Sequence, residues 1–233
     1  MTTFVLVHGA WHGGWCYART AKLLRGQGHD EFTPTLSGVG ERAHMNGPGI
    51  NLSLHILDIC NVLKYEGLTE VVLCGHSYGG MVISGVADAM SERIRSLVYL
   101  DAFVPENGKA LWDYVDDNFR GFFLQSAAES GGLAAPVPAA MFNVNAQDAA
   151  WVDKNCVPMS LACFLEKSKL TGKGTAIKKR NYIYAAGWPG TPFTQFYDTY
   201  KIGAGWRCTT VKCGHDVMVD DPAGLAEQLL MST

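Results

Sequence analysis

The chain predicts an α/β protein: a mostly parallel sheet, helices on both faces, and a helical cap inserted after the fourth strand. Three observations predict it. Short apolar, β-rich runs alternate with segments of helical length. One of those runs, "VVLC", passes straight into the turn "GHSYGG" and then into the helix-like "MVISGVADAM". The alternation fails once, between residues 105 and 179, where aromatic and small residues replace the strand pattern.

The elements follow in order. Residues 4–8 read as the first strand, and residues 15–25 as a helix closed by Gly26 and Gly28. Residues 32–35 read as the second strand. Just before it, Glu31 holds a place where a buried strand wants an apolar residue, so either the strand begins later or that edge is wet. Leu54, Ile56, Leu57, Ile59, Cys60 and Leu63 form a helical stripe behind a Ser53 cap, stopped by Gly67. Residues 71–74, 96–101, 181–185 and 206–211 read as strands three to six. Pro222, a favoured first helical residue, opens a last helix that runs to about Leu230. This divides the chain into a core, residues 1–104 and 180–233, and a cap, residues 105–179, with residues 130–138 as a flexible joint. An insertion after the fourth strand sits over the carboxyl ends of the strands, where open α/β sheets bind ligands.

Composition excludes several classes of function. The 233 residues are 48% hydrophobic with a net charge of −3, which suits one domain and leaves no basic footprint for nucleic acid. Lys178, Lys179 and Arg180 read as a solvated strand entry. The chain begins without a charged n-region and signal core, and no apolar run nears the ~20 residues that span a membrane. A soluble, cytoplasmic protein with no membrane partner is expected. Seven cysteines without a C-x-x-C pair read as reduced, Cys60, Cys74 and Cys208 in apolar runs, with no structural metal. "GVGERA" at 38–43 imitates a dinucleotide fingerprint, with Asp58 some twenty residues on. It does not follow the first strand, and "NGPG" interrupts it at once, so no cofactor is expected.

The turn around Ser77 carries the chemistry. A strand that turns directly into a helix leaves little room beside the backbone. Glycines at 75 and 79 relieve the crowding and leave Ser77 strained and exposed at the apex, beside the positive end of the helix. A serine hydroxyl is a poor nucleophile without a base. Of seven histidines, His215 follows the last strand on a glycine-supported loop that returns to the sheet end holding Ser77. An attacked carbonyl then needs two N–H donors. One is the Tyr78 amide, and the other comes from the loop "VHGAWHGGW", where Gly9 and Ala10 let the backbone approach. From the cap, Phe119, Phe123, Trp151 and Phe164, with Trp11 from that same loop, are the candidate substrate contacts.

"FVLVHGAWHGGW", "LCGHSYGGMV", "LVYLDAFVPENG" and "GHDVMVDDPAGLAEQL" together resemble the small α/β-hydrolases related to plant methylesterases and hydroxynitrile lyases. The likeness covers the core at both ends of the chain and matches the cap only loosely. It implies the α/β-hydrolase fold and a triad of Ser77 and His215 with an acid. It also implies an oxyanion hole from the Ala10 and Tyr78 amides, ester hydrolysis without a cofactor, and assembly as a homodimer. The chain is also similar to bacterial hydrolases of benzimidazole methyl carbamates, a likeness that no short motif carries.

Two departures bear on function. The lyases carry a lysine right after the catalytic histidine, and here Asp216 follows, which speaks against lyase chemistry. In the plant relatives the triad acid lies after the strand matching residues 181–185, but the loop "AAGWPGTPFTQFYD" holds no acid before Asp198. Asp101, ending the preceding strand, is the preferred acid and Asp198 the alternative. The expected function is a serine hydrolase of a small, uncharged, aromatic ester. The alternatives are a carbamate or amide hydrolase using the same triad and a non-catalytic small-molecule receptor.

Overall fold

The computed structural model describes residues 1–188 and 191–233; Pro189 and Gly190, in the loop "AAGWPGTPFTQFYD", lie outside the described residues. The strands are β1 (Thr3–Val7), β2 (Asp30–Phe32), β3 (Val71–His76), β4 (Ile94–Leu100), β5 (Leu133–Ala134), β6 (Met159–Ser160), β7 (Lys179–Ala185) and β8 (Trp206–Val211). Among the described residues, six of them form one parallel sheet in the order β2-β1-β3-β4-β7-β8. All six residues of β3 are buried, as expected of a central strand covered on both faces. The helices are α1 (Ala18–Gly26), α2 (Leu52–Tyr65), α3 (Gly79–Ala89), α4 (Asp117–Glu129), α5 (Ala149–Asn155), α6 (Ala162–Leu165), α7 (Thr194–Tyr200), α8 (Val217–Asp220) and α9 (Pro222–Leu230). α1 packs against α9, and α2 against α3. None is long and apolar enough to cross a membrane.

Three local expectations are corrected. β2 pairs with β1 over residues 30–32 rather than 32–35; Pro34, with no N–H to give, cannot extend the ladder. Glu31 therefore lies within an edge strand, and its carboxylate pairs with Arg25 of α1. The cap of α2 is Asn51, whose side chain accepts the Leu54 N–H at 3.0 Å. Ser53 instead turns its N–H and hydroxyl to Glu166, at 2.8 and 2.6 Å. Residues 130–138 carry β5, paired antiparallel with β6, where a free joint was expected. The cysteines are free; Cys74 is buried, while Cys60 and Cys208 are only half-buried. Asp58, the acid of the false fingerprint, accepts from the Ser37 N–H at 2.7 Å and its hydroxyl at 3.0 Å, so it is committed within the fold.

The sheet order places the site. From β1 the chain goes outward to β2, then returns across β1 to β3, so the loops after β1 and β3 part at a switch point with a crevice between them. The turn out of β3 fits there only because positions 75 and 79 carry no side chain. A Cβ on Gly75 would come 2.5 Å from the Gly79 carbonyl oxygen, and one on Gly79 would lie 2.7 Å from Val7 O and 2.8 Å from His8 O. Those neighbours are backbone and cannot swing away. Gly79→Ala is expected to cost ~1–3 kcal/mol of stability through overpacking, a drop of several degrees in thermal midpoint. Gly47→Ala, with nothing within 4 Å of the added carbon, should leave the midpoint nearly unchanged. Thermal melts of the two variants check this.

Candidate active site

Ser77 occupies the apex of the β3–α3 turn with φ +53°, a left-handed conformation that side chains disfavour. Two other non-glycine residues share it nearby, Trp11 at +66° and Asp101 at +41°. Each such residue costs on the order of 1–3 kcal/mol, and such strain gathers where a site needs a fixed pose. The turn is clipped to the end of β4: Ser77 N–H donates to Leu100 O, and Phe103 N–H donates to Ser77 O, both at 3.2 Å. The serine and the segment carrying Asp101 are thus held as one unit.

Of the two candidate acids, the fold brings Asp101 to His215. The His215 Nδ1–H donates to Asp101 Oδ2 at 2.7 Å. The other oxygen, Oδ1, accepts the Ala185 N–H at 3.1 Å, and the Asp101 N–H reaches Ile183 O at 2.7 Å. Asp198 sits on α7, its side chain 55% exposed, and pairs with Lys201 at 2.6 Å. The loop bearing His215 is itself fixed. Its N–H donates to Phe142 O at 2.9 Å, and its carbonyl accepts from His76 Nε2–H at 3.0 Å. Phe193 stacks on the ring at 4.9 Å, with Trp188 and Phe142 also against it. Burial pushes the His215 imidazolium down to about 4, so the ring is neutral near pH 7, with Nε2 free to accept a proton. Burial also raises the Asp101 carboxyl, and the Ala185 N–H works against that rise.

Ala10, Trp11, Ser77, Tyr78 and His215 line one cavity. Among the described residues, neither the Ala10 nor the Tyr78 amide donates to another group, so both remain available to a ligand. The Tyr78 side chain is anchored: its hydroxyl donates to His55 Nδ1 at 3.0 Å, while His55 Nε2–H donates to Ser37 O at 2.9 Å. Phe119, Phe123 and Phe164 line the cavity as expected. Trp151 does not. It packs edge-on against Trp15 at 4.9 Å, with Arg19 over its ring, and is 38% exposed. Its place on α5, beside α1 rather than over the sheet end, is the reason.

Phe103, Phe142, Trp188 and Phe193 complete the aromatic wall and had escaped the sequence reading. They come from three separate segments, Phe103 after β4, Phe142 at the end of the 139–142 turn, and Trp188 and Phe193 on the connection from β7 to α7, and only the proximity of Phe103 to Asp101 offered a signal. Among the described residues, the grouping with metal-ligand spacing is His76, His215 and Asp216. The ring N–H groups of its histidines are committed to His215 O and Asp101.

The geometry meets a known pattern. Residues 4–228 match the model of the alpha/beta hydrolase family. This chain belongs to that family. It is 50% identical to the carbendazim hydrolyzing esterase of a Nocardioides species, across 98% of each chain. It is 34% identical to methylesterase 1 of Arabidopsis thaliana over 44% of this chain and 40% of the relative. An extracellular alpha/beta-hydrolase from a Paenibacillus species superposes with a TM-score of 0.87, covering 100% of this chain and 99% of the other at 24% identity. The resemblance to small hydrolases of the methylesterase branch therefore holds at the level of family and fold.

Two pairs of substitutions test this geometry. Asp101→Asn should lower kcat by about 10⁴, because an amide supports the wrong tautomer of the base, while Asp198→Asn should leave kcat within a factor of about two. Phe119→Ala should raise KM for a bulky aromatic substrate, whereas Trp151→Ala should shift thermal stability and leave KM alone. Steady-state kinetics on the four variants, with melts alongside, check both pairs.

Proposed function

We propose that this esterase-type hydrolase cleaves a small, uncharged, flat aromatic ester or methyl carbamate through a covalent intermediate on Ser77. One observation carries the proposal. A single cavity is lined by Ser77 and by a His215 bonded to buried Asp101, and the side chains around them are apolar or aromatic. A charged substrate would lose its hydration there without a compensating partner, at a cost of several kcal/mol. A planar, neutral one would gain from the rings of Phe119, Phe123 and Phe164.

The steps follow from the atoms. His215 Nε2 takes the Ser77 proton as Oγ bonds to the substrate carbonyl carbon, and the carbonyl oxygen becomes an oxyanion facing the Ala10 and Tyr78 amides. Asp101 holds Nδ1–H and stabilises the imidazolium. That imidazolium gives its proton to the departing alkoxide or amine as the carbonyl re-forms, leaving an acyl- or carbamoyl-serine. Water, deprotonated by the same nitrogen, then releases the acid. Esters and carbamates use the same steps, and the name of the 50%-identical relative supports including carbamates. Lyase chemistry is the less favoured reading. Asp216, where the lyases carry lysine, is buried against His12 and gives the cavity no cation.

A substrate panel tests this: carbendazim, aryl acetates, aromatic methyl esters and a cyanohydrin, offered to the wild-type chain and to Ser77→Ala. Turnover of an aromatic ester or carbamate is expected, with kcat lower by on the order of 10⁶ in the variant. A variant that kept a tenth of the activity would refute the covalent route. A wild-type chain that bound these compounds without turnover would favour a receptor.

A further inference from the structure

His12 and Asp216 are charged or chargeable, almost fully buried, and unused by the steps above. His12 Nδ1 lies 2.8 Å from Ala10 O, and Nε2 lies 3.0 Å from Asp216 Oδ2. A carbonyl accepts only. With Nδ1–H given to it, the second contact needs one more proton, shared between ring and carboxylate. Imidazole is the stronger base by more than two pKa units, so the ring keeps it. The pair is an imidazolium and a carboxylate.

Its two ends face different parts of the site. Asp216 follows His215 directly, and its carboxylate lies within 4.8 Å of ring nitrogens of His76 and His215. Its Oδ1 has no hydrogen-bond partner and sits 3.9 Å from His76 Nε2. The His12 end grips the carbonyl of Ala10, a residue that lines the cavity and whose own N–H has no partner among the described residues. When Ser77 attacks, positive charge grows on His215 and negative charge on the substrate oxygen. The negative end of the pair lies beside the first and the positive end behind the second. A buried ion pair is rarely more stabilising than apolar residues of the same shape, so stability alone gives little reason to place one here.

We propose that the His12–Asp216 ion pair is a positioning device for the reaction. Asp216 stabilises the His215 imidazolium without touching it, and His12, pinned by Asp216, aims the Ala10 amide at the oxyanion. This rests on the acyl-transfer route proposed above. The groups facing each member are few. Around His215 stand Asp101 from the end of β4, His76 from β3, and Asp216. Around His12 stand Asp216, the stacked ring of Trp15, His76, and the thiols of Cys16 and Cys156. Burial opposes a charge on His12, yet the Asp216 carboxylate holds it well above its ordinary range. Burial opposes the Asp216 charge in turn, and His12 pulls that carboxyl well below its own. Burial and His215 keep His76 neutral.

Asp216→Asn separates charge from shape. The new amide can donate to Nε2 of a neutral His12, which still gives Nδ1–H to Ala10 O, so the contacts survive while both charges vanish. With an aromatic ester as substrate, kcat is expected to fall about 10-fold with KM nearly unchanged. The acid limb of kcat/KM, below 6.5 in the wild type because burial disfavours the His215 imidazolium, should move about one pH unit lower once the nearby carboxylate is gone. A packing role would not move that limb. Independently of activity, ¹⁵N spectra of the wild-type chain at pH 8 should show one doubly protonated histidine, absent from Asp216→Asn. Seven neutral histidines in the wild type, or an unmoved acid limb in a folded Asp216→Asn, would overturn the proposal. Turnover that survived Ser77→Ala would instead overturn the acyl-transfer route on which it rests.

Discussion

The left-handed turn at Ser77 is the constraint on which the rest of the site depends. A strand that ends at His76 and a helix that begins at Gly79 leave two residues in which to reverse direction. That is possible only with φ positive at Ser77 and no side chain at 75 or 79. The turn is also the clip that holds β4 in place, through Leu100 O and the Phe103 N–H. Since β4 delivers Asp101, the pose of the serine and the pose of the acid are set by the same few hydrogen bonds. The His215 loop then closes onto this unit through Asp101 and His76.

Desolvation gives the site its character. Burial keeps His215 neutral, the form the proposed role as base requires, and the same burial makes every charge nearby costly. The fold answers by partnering its buried carboxylates: Asp101 with two N–H groups, Asp216 with His12. The aromatic wall extends the same logic to the substrate. Rings from Phe103, Phe142, Trp188 and Phe193 give the cavity an apolar lining in which a charged group would find no partner.

What could be read in the sequence, and what could not, divides along physical lines. Local constraints were legible. The β3–turn–α3 passage needs glycine at fixed offsets, so "GHSYGG" announces itself, and Pro222 marks the start of α9. The loop bearing His215 followed from the winding of the chain. Long-range placement was harder. Asp101 was the preferred acid and Asp198 the alternative on strand position alone; the bond of Asp101 to His215, backed by those to Ile183 and Ala185 of β7, and the pairing of Asp198 with Lys201 set them apart. Trp151 and Phe142 are both cap aromatics, yet one packs on Trp15 and the other reaches His215. No periodicity distinguishes them, because which face of a short irregular segment looks inward is decided by its neighbours. The cap of α2 failed for a related reason: Ser53 and Asn51 are both competent, and Glu166, remote in sequence, claims the serine.

The claim at the centre is that Ser77, in its strained turn, is an activated nucleophile. Incubation with a fluorophosphonate probe, followed by intact-mass and peptide mass spectrometry, measures this without knowledge of the substrate. A single phosphonyl group on the peptide containing Ser77 is expected, formed far more slowly in Asp101→Asn. A wild-type chain that stayed unlabelled, or carried the label on another residue, would contradict the account.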